Sequence, residues 1–168
     1  MIEVAIVSDT HLSRGARHLP DACLERCAAA GAIFHAGDLI ELGVLEQLQA
    51  LGPPVHAVHG NVDVPAVVAA LPATLEVDVG EVRFGMVHDA GAAAGRLGRL
   101  RRRFPTCDVV LFGHSHIPLH ESDGAPGAAA FQIFNPGSPT DRRRQPRHTM
   151  GVARIDGAEG HLTHVVVA

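Results

Sequence analysis

Apolar positions along the chain form short hydrophobic runs separated by segments of helical spacing, the alternation expected of an α/β protein. Residues 2–7 are apolar except for Glu3, which predicts a buried strand, followed by a polar loop through Ser13, Arg14 and Gly15. Pro20 suits the first turn of a helix running to about Ala30, where Gly31 stops it. Residues 32–36 predict the next strand and residues 41–51 the next helix, ended by Gly52-Pro53-Pro54. Residues 55–58 predict a third strand, and residues 65–71 a short helix or turn. Beyond them the pattern changes. Two runs, 75–79 and 82–87, are joined by Gly80-Glu81 and predict a hairpin. Residues 92–103 predict a helix and 109–112 a continuous apolar strand. Further strands are expected at 118–121, 129–134, 149–155 and 161–167, with Gly- and Pro-rich turns at 122–127 and 156–160. With no linker-like stretch and no internal repeat, residues 1–168 are expected to form one domain.

Composition narrows the class. A chain of 168 residues with 46% hydrophobic and 19% charged content can bury a substantial core and is not disordered. Its apolar runs are far too short to cross a bilayer, and the N-terminus lacks a basic stretch followed by a long apolar one. A cytoplasmic protein with no membrane partner is expected. The net charge of -4 and pI near 6.3 argue against a nucleic-acid partner. Every basic side chain is Arg, which reflects coding bias more than chemistry. Three Cys make no disulfide framework. Cys23 and Cys27 lie one helical turn apart and either bind a metal or fill a core as small side chains. Cys107 is read as a core residue.

The candidate chemistry lies where the strands stop. Residues 2–7 are followed by Ser8-Asp9-Thr10-His11, residues 32–36 by Gly37-Asp38, and residues 55–58 by His59-Gly60-Asn61-Val62-Asp63. Residues 82–87 end at His88, and residues 109–112 lead into Gly113-His114-Ser115-His116. Functional groups gather at the carboxyl ends of strands in open α/β sheets, so these residues are candidates for one shared site. Two carboxylates, an Asn carbonyl and four imidazoles exceed what one tetrahedral zinc needs and suit two adjacent metals. Mixed N/O donors favour Mn, Fe, Co, Ni or Zn over Ca or Mg. In an extended segment His114 and His116 would point the same way, one to each ion. Gly37, Gly60 and Gly113 are expected to permit tight turns and close backbone approach to the ions.

In this order, Asp9-x-His11, Gly37-Asp38, Gly60-Asn61-x-Asp63, His88 and Gly113-His114-Ser115-His116 resemble the motif series of the calcineurin-like metallophosphoesterases. The likeness is to their compact bacterial and archaeal phosphodiesterase subgroup, and Asn135-Pro136-Gly137-Ser138 resembles that subgroup's C-terminal motif. The resemblance implies a four-layer αββα sandwich of two mixed β-sheets flanked by helices. It also implies that Asp9, His11 and His116 bind one metal, Asn61, His88 and His114 a second, and Asp38 bridges them. Manganese is the first choice, with Fe, Zn, Ni, Co or Mg as alternatives. A hydroxide bridging the metals would attack a phosphate ester in line, the expected substrate being a small phosphate ester, a diester ahead of a monoester. Asp63 is expected to orient a metal-bound His from the second layer, and His120 is a further candidate for that work.

Val62 departs from the family, many of whose members carry a His there to assist the leaving group. His59 is the nearest replacement acid, or else a structural His. Asp89 follows His88 and either pairs with a nearby cation or faces solvent. Two Arg clusters stand out. Arg96, Arg99, Arg101, Arg102 and Arg103 read as a solvated helix face. Arg142, Arg143, Arg144 and Arg147 follow the Asn135–Ser138 motif and are read either as surface or as a clamp on substrate phosphate. A nuclease or nucleotide phosphodiesterase, and a protein-binding scaffold like the retromer subunit of this fold, are the alternative functions. Exposed sheet edges would allow a homodimer.

Overall fold

The computed structural model describes residues 1–13, 18–124 and 130–168. In chain order its strands are β1 (Ile2–Val7), β2 (Ala32–His35), β3 (Val55–Ala57), β4 (Thr74–Val79), β5 (Val82–Val87), β6 (Val109–Leu111), β7 (Leu119–Ser122), β8 (Gln132–Asn135), β9 (Thr149–Asp156) and β10 (Glu159–Val166). The helices are α1 (Asp21–Ala29), α2 (Leu42–Gln49), α3 (Pro65–Ala70) and α4 (Arg96–Arg103). The first sheet has the order β10-β9-β1-β2-β3 and the second β4-β5-β6-β8-β7. Parallel pairs β1/β2 and β2/β3 carry the first sheet's centre, while β9 runs antiparallel to β1. In the second sheet β5/β6 and β6/β8 are parallel, with antiparallel β4 and β7 at the edges.

Period-two alternation explains the layering. Along β1, Val4 and Ile6 point to the seam between the sheets, where they meet Phe34, Phe84, Met86, Leu111 and Phe134. Ala5 and Val7 point the other way, into a layer with Cys23, Cys27, Leu45 and Leu48 of α1 and α2. Val110 and Phe112 leave the second sheet's outer face and pack on Leu100 and Phe104 beside α4. The result is helix, sheet, sheet, helix. Burying both faces of β1, β2 and β6 accounts for their continuous apolar character.

Most predicted elements occur within a few residues of their expected bounds. The helix expected over 92–103 is the main difference, since α4 begins only at Arg96. Gly91 and Gly95 are left-handed, at φ 72° and 67°. The carbonyls of Ala90, Ala92 and Ala94 accept hydrogen bonds from the Arg99 guanidinium instead of from helical N–H groups. Alanine propensity therefore loses to a side chain that satisfies the same acceptors. Cys23 and Cys27 are fully buried among apolar side chains, and their mutual hydrogen bond and burial push the Cys23 thiol far above its usual range. Arg14, Gly15, residues 125–127 of the expected turn and Ala129 lie outside the described residues. No helix among the described residues is long and apolar enough to cross a membrane.

Candidate metal centre

Because β1, β2 and β3 are parallel, their polar continuations leave one end of the first sheet together. β5 and β6 do the same in the second sheet. The backbone stitches these ends: Asp9 N–H donates to Gly37 O at 3.0 Å, His11 N–H to Asp38 O at 3.0 Å, and Gly113 N–H to His88 O at 2.9 Å. Across the seam, His114 N–H donates to both Asp9 carboxylate oxygens at 3.0 and 3.1 Å.

Two clusters result. Asp9, His11 and His116 converge in one, and Asp38, His88 and His114 in the other, with ligand atoms within 4.8 Å of one another in each. Asn61 joins the second, its Oδ1 lying 3.0 Å from His88 Nε2 and 2.9 Å from His114 Nδ1. Asp38 stands between them, since Oδ2 lies 3.3 Å from His11 Nε2 and 3.2 Å from His88 Nε2. Each cluster draws on both sheets. All seven sequence-predicted ligands therefore stand at one place.

The donor chemistry fits divalent cations. His88 Nδ1–H donates to Ala36 O at 2.8 Å, and His116 Nδ1–H donates to Asp141 O, which leaves each neutral ring with its Nε2 lone pair facing the cluster. Those lone pairs meet other acceptors, Asn61 Oδ1 for His88 and Asp9 Oδ1 at 3.5 Å for His116. His11 Nε2 and His116 Nε2 are buried without a hydrogen-bond partner. Each such orphan costs about 1–3 kcal/mol, and acceptors crowded on one point want a cation between them. Without one, protons serve instead. Burial lowers the His88 imidazole's affinity for a proton, but Asp38 and Asp9 outweigh it and hold its pKa above the ordinary value. Burial also pushes Asp38 up, yet His11, His88 and the Val62 N–H overcome that and hold the carboxyl well below the usual range. Asp9 is raised, burial prevailing over His88 and His116.

The local backbone is strained to reach this arrangement. Asp9, His11, Asp38, His114 and His116 are all left-handed, with φ between 45° and 69°, at a cost of roughly 1–3 kcal/mol each. His114 and His116 therefore do not lie on an extended segment, as their spacing suggested. They reach different clusters through consecutive turns of the backbone. The glycines also act differently from expectation, because only Gly37 is left-handed, at φ 96°. A β-carbon on Gly60 would collide with the Asp38 carboxylate, and one on Gly113 with Ser8 Oγ and Asp9. They make room for ligand side chains.

Other expected residues are placed as follows. Asp63 accepts N–H bonds from Asp38, Ile40 and Gly60 at 3.2, 2.6 and 2.7 Å, tying two ligand loops together instead of orienting a His. His120 bonds Gln132 and abuts Phe134, neither of which belongs to a cluster. His59 contacts the Gly60 carbonyl at 3.4 Å. Asp89 is exposed and accepts Gly91 N–H at 2.7 Å, closing a turn. Sequence reasoning missed Asp141, whose carbonyl fixes His116 and whose carboxylate lies 3.8 Å from His11 Nδ1. It also missed the work of Thr10 and His35. Gly37 N–H donates to His35 Nδ1, so the His35 proton sits on Nε2 and is donated to Thr10 Oγ1, which in turn donates to Asp38 O. The Asn135–Ser138 motif clamps the site from behind. Asn135 Nδ2 donates to Gly113 O at 2.9 Å, and Ser138 Oγ donates to Asp9 O at 2.8 Å.

Comparison with known proteins places these features. The pattern of the calcineurin-like phosphoesterase superfamily domain matches residues 2–158. A probable metallophosphoesterase of Methanothermobacter thermautotrophicus is 31% identical over 157 residues, covering 92% of this chain and 86% of its own. Among solved structures, wild-type Vps29 of Entamoeba histolytica complexed with Zn²⁺ superposes with a TM-score of 0.75 at 19% identity, over 99% of this chain and 100% of that one. A structure described as a novel archaeal phosphodiesterase gives 0.72 at 20% identity, over 98% and 100%. At such identities the structural likeness speaks for a shared fold.

Proposed function

Since the chain belongs to the calcineurin-like phosphoesterase superfamily, we propose that it is a metal-dependent phosphoesterase acting on small phosphodiesters. The observation that carries this reading is the pair of donor clusters with Asp38 between them and buried Nε2 atoms lacking any hydrogen-bond partner. Asp9, His11 and His116 would hold one divalent cation and Asn61, His88 and His114 a second, with manganese the first choice. Cations held there would supply Lewis acidity toward a phosphoryl oxygen and bring a water near ionisation at neutral pH.

The chain's own residues set charge and position. Two carboxylates against two dications leave a net positive site suited to a phosphate anion. The Val62 N–H holds Asp38 Oδ1 at 3.1 Å, but its side chain has no proton to give a leaving group. Departure without an acid at that position makes the rate depend steeply on leaving-group acidity, so aryl esters of acidic phenols should turn over much faster than alkyl esters. Val62 and Ile117, 41% and 47% exposed, directly follow Asn61 and His116. They offer apolar surface to a second organic substituent, which a diester has and a monoester lacks.

The test combines metal analysis with turnover of a bis-aryl phosphate after manganese loading. Hydrolysis should require metal, exceed that of the aryl monoester, and fall at least about a hundredfold in Asp38→Asn. Undiminished turnover in that variant, or under chelation, would refute the reading. A protein-binding role is the second reading, favoured by the absence of an acid at Val62 and by the Vps29 fold. Two bound metals per chain with no turnover of any diester would support it.

A further inference from the structure

The two arginine clusters behave differently. On α4 the guanidinium groups of Arg96, Arg99 and Arg101 are engaged: Arg99 donates to three carbonyls, Arg96 donates to Gly91 O and lies over Phe112, and Arg101 pairs with Asp123. Arg142, Arg143, Arg144 and Arg147 are all exposed, and among the described residues no acid pairs with any of them. Arg142 closes its own turn by donating to Gln145 O at 2.6 Å. Among the described residues Arg143, Arg144 and Arg147 have no hydrogen-bond or ion-pair partner, and Arg143 is left-handed at φ 49°. Like charges this close repel, screened only over about 8 Å at physiological salt, in a chain whose net charge is -4.

The root of this loop is fixed to the metal clusters. Asp141 holds His116 through its carbonyl, Ser138 Oγ accepts Asp141 N–H at 2.8 Å while donating to Asp9 O, and Thr140 Oγ1 donates to Thr10 O. The first of these unpaired cations, Arg143, thus stands two residues from Asp141, whose carboxylate lies 3.8 Å from His11 Nδ1 and 4.0 Å from His116 Nδ1.

We propose that residues 142–147 are a phosphate-recognition arm. Arg143, Arg144 and Arg147 engage a further phosphate of the substrate, so the enzyme favours esters bearing phosphate groups beyond the one being hydrolysed. Guanidinium forks match phosphate oxygens. A small polyphosphorylated molecule fits better than a nucleic-acid strand, because residues 141–148 contain no Phe and the chain has no Trp or Tyr on which bases would stack. The substrate preference rests on the phosphoesterase reading, whereas the arm's affinity for phosphate does not.

Titration calorimetry of the full chain, freed of metal by chelation, separates the two. Inorganic tripolyphosphate should bind more tightly than orthophosphate and weaken as salt rises. Replacing all three by Ala (R143A/R144A/R147A) should weaken it by about tenfold or more, with partial retention in the triple Lys variant and an unchanged melting temperature in both. No tripolyphosphate binding, or equal binding by wild type and the Ala variant, overturns the arm. So does tighter binding of a single-stranded oligonucleotide. With manganese loaded, the preference in kcat/KM for an aryl ester of a nucleoside triphosphate over a bis-aryl phosphate should collapse through KM in the Ala variant. Binding intact with no turnover of either ester would sustain the arm and sink the phosphoesterase reading.

Discussion

His35 is fully buried with both ring nitrogens committed, one as acceptor and one as donor, and burial, together with nearby His88, pushes its pKa down to about 3. The unfolded chain takes up that proton near the ordinary value of 6.5. Stability from neutral His35 is therefore fully present above about pH 6.5 and is lost as pH falls from there toward 3, amounting to several kcal/mol at the acid end. In His35→Gln the side chain still accepts and donates but does not ionise. Denaturant unfolding of the metal-free protein between about pH 7 and 4 should lose stability less steeply in this variant. An acid limb as steep as that of wild type would show that other groups dominate. At this scale, Asp9, His11, Asp38, Asn61, His88, His114 and His116 could be picked out as candidates because Asp9, Asp38, His88 and His114 closely follow apolar runs and the other three complete the ordered motif series. Their left-handed backbone was not, since it depends on tertiary bonds such as His11 N–H to Asp38 O. Asp141 was invisible for a related reason: it holds His116 through a main-chain carbonyl, which every residue possesses.

Elements place these residues, and loops lock them. Ser138 lies just beyond β8, where its hydroxyl donates to Asp9 O and accepts the N–H of Asp141 and Thr140 at 2.8 and 3.3 Å. Ser138→Ala removes the partners of three buried or half-buried backbone groups. It should destabilise the fold by about 1–3 kcal/mol and weaken metal affinity, read from thermal melts and metal titration. Unchanged affinity would mean that Asp9 and His116 hold their positions without this clamp. Strands β1, β2, β4, β5 and β6 were readable because alternation or continuous apolarity records their burial directly. The start of α4 was not, since it turns on Arg99 reaching back over 90–94, a contact that no local propensity encodes.

Across the whole molecule, the donor clusters lie where two independent sheets meet. Asp9, His11, Asp38 and Asn61 come from the first, His88, His114 and His116 from the second. Bound cations would cross-link the layers, adding RT ln(1 + [M]/Kd) to stability, about 2.7 kcal/mol per site at a hundredfold excess over Kd. Chelation should lower the melting temperature by several degrees, and replacing His114 by Ala should remove much of that dependence. A melting temperature indifferent to chelator would place the ions, if bound, outside the load path between sheets. The layered architecture itself followed from the resemblance, while the residues alone showed only alternation, because which strands share a sheet is decided by long-range pairing. That pairing orders events in time. β1 finds its neighbour β9 only when residues 151–155 are present, Ile2 lying opposite Ile155. A nascent chain emerging from the ribosome must therefore keep β1 half-paired until Ile155 has been synthesised. Through that interval an open, apolar edge is on offer to chaperones or to other unfinished copies.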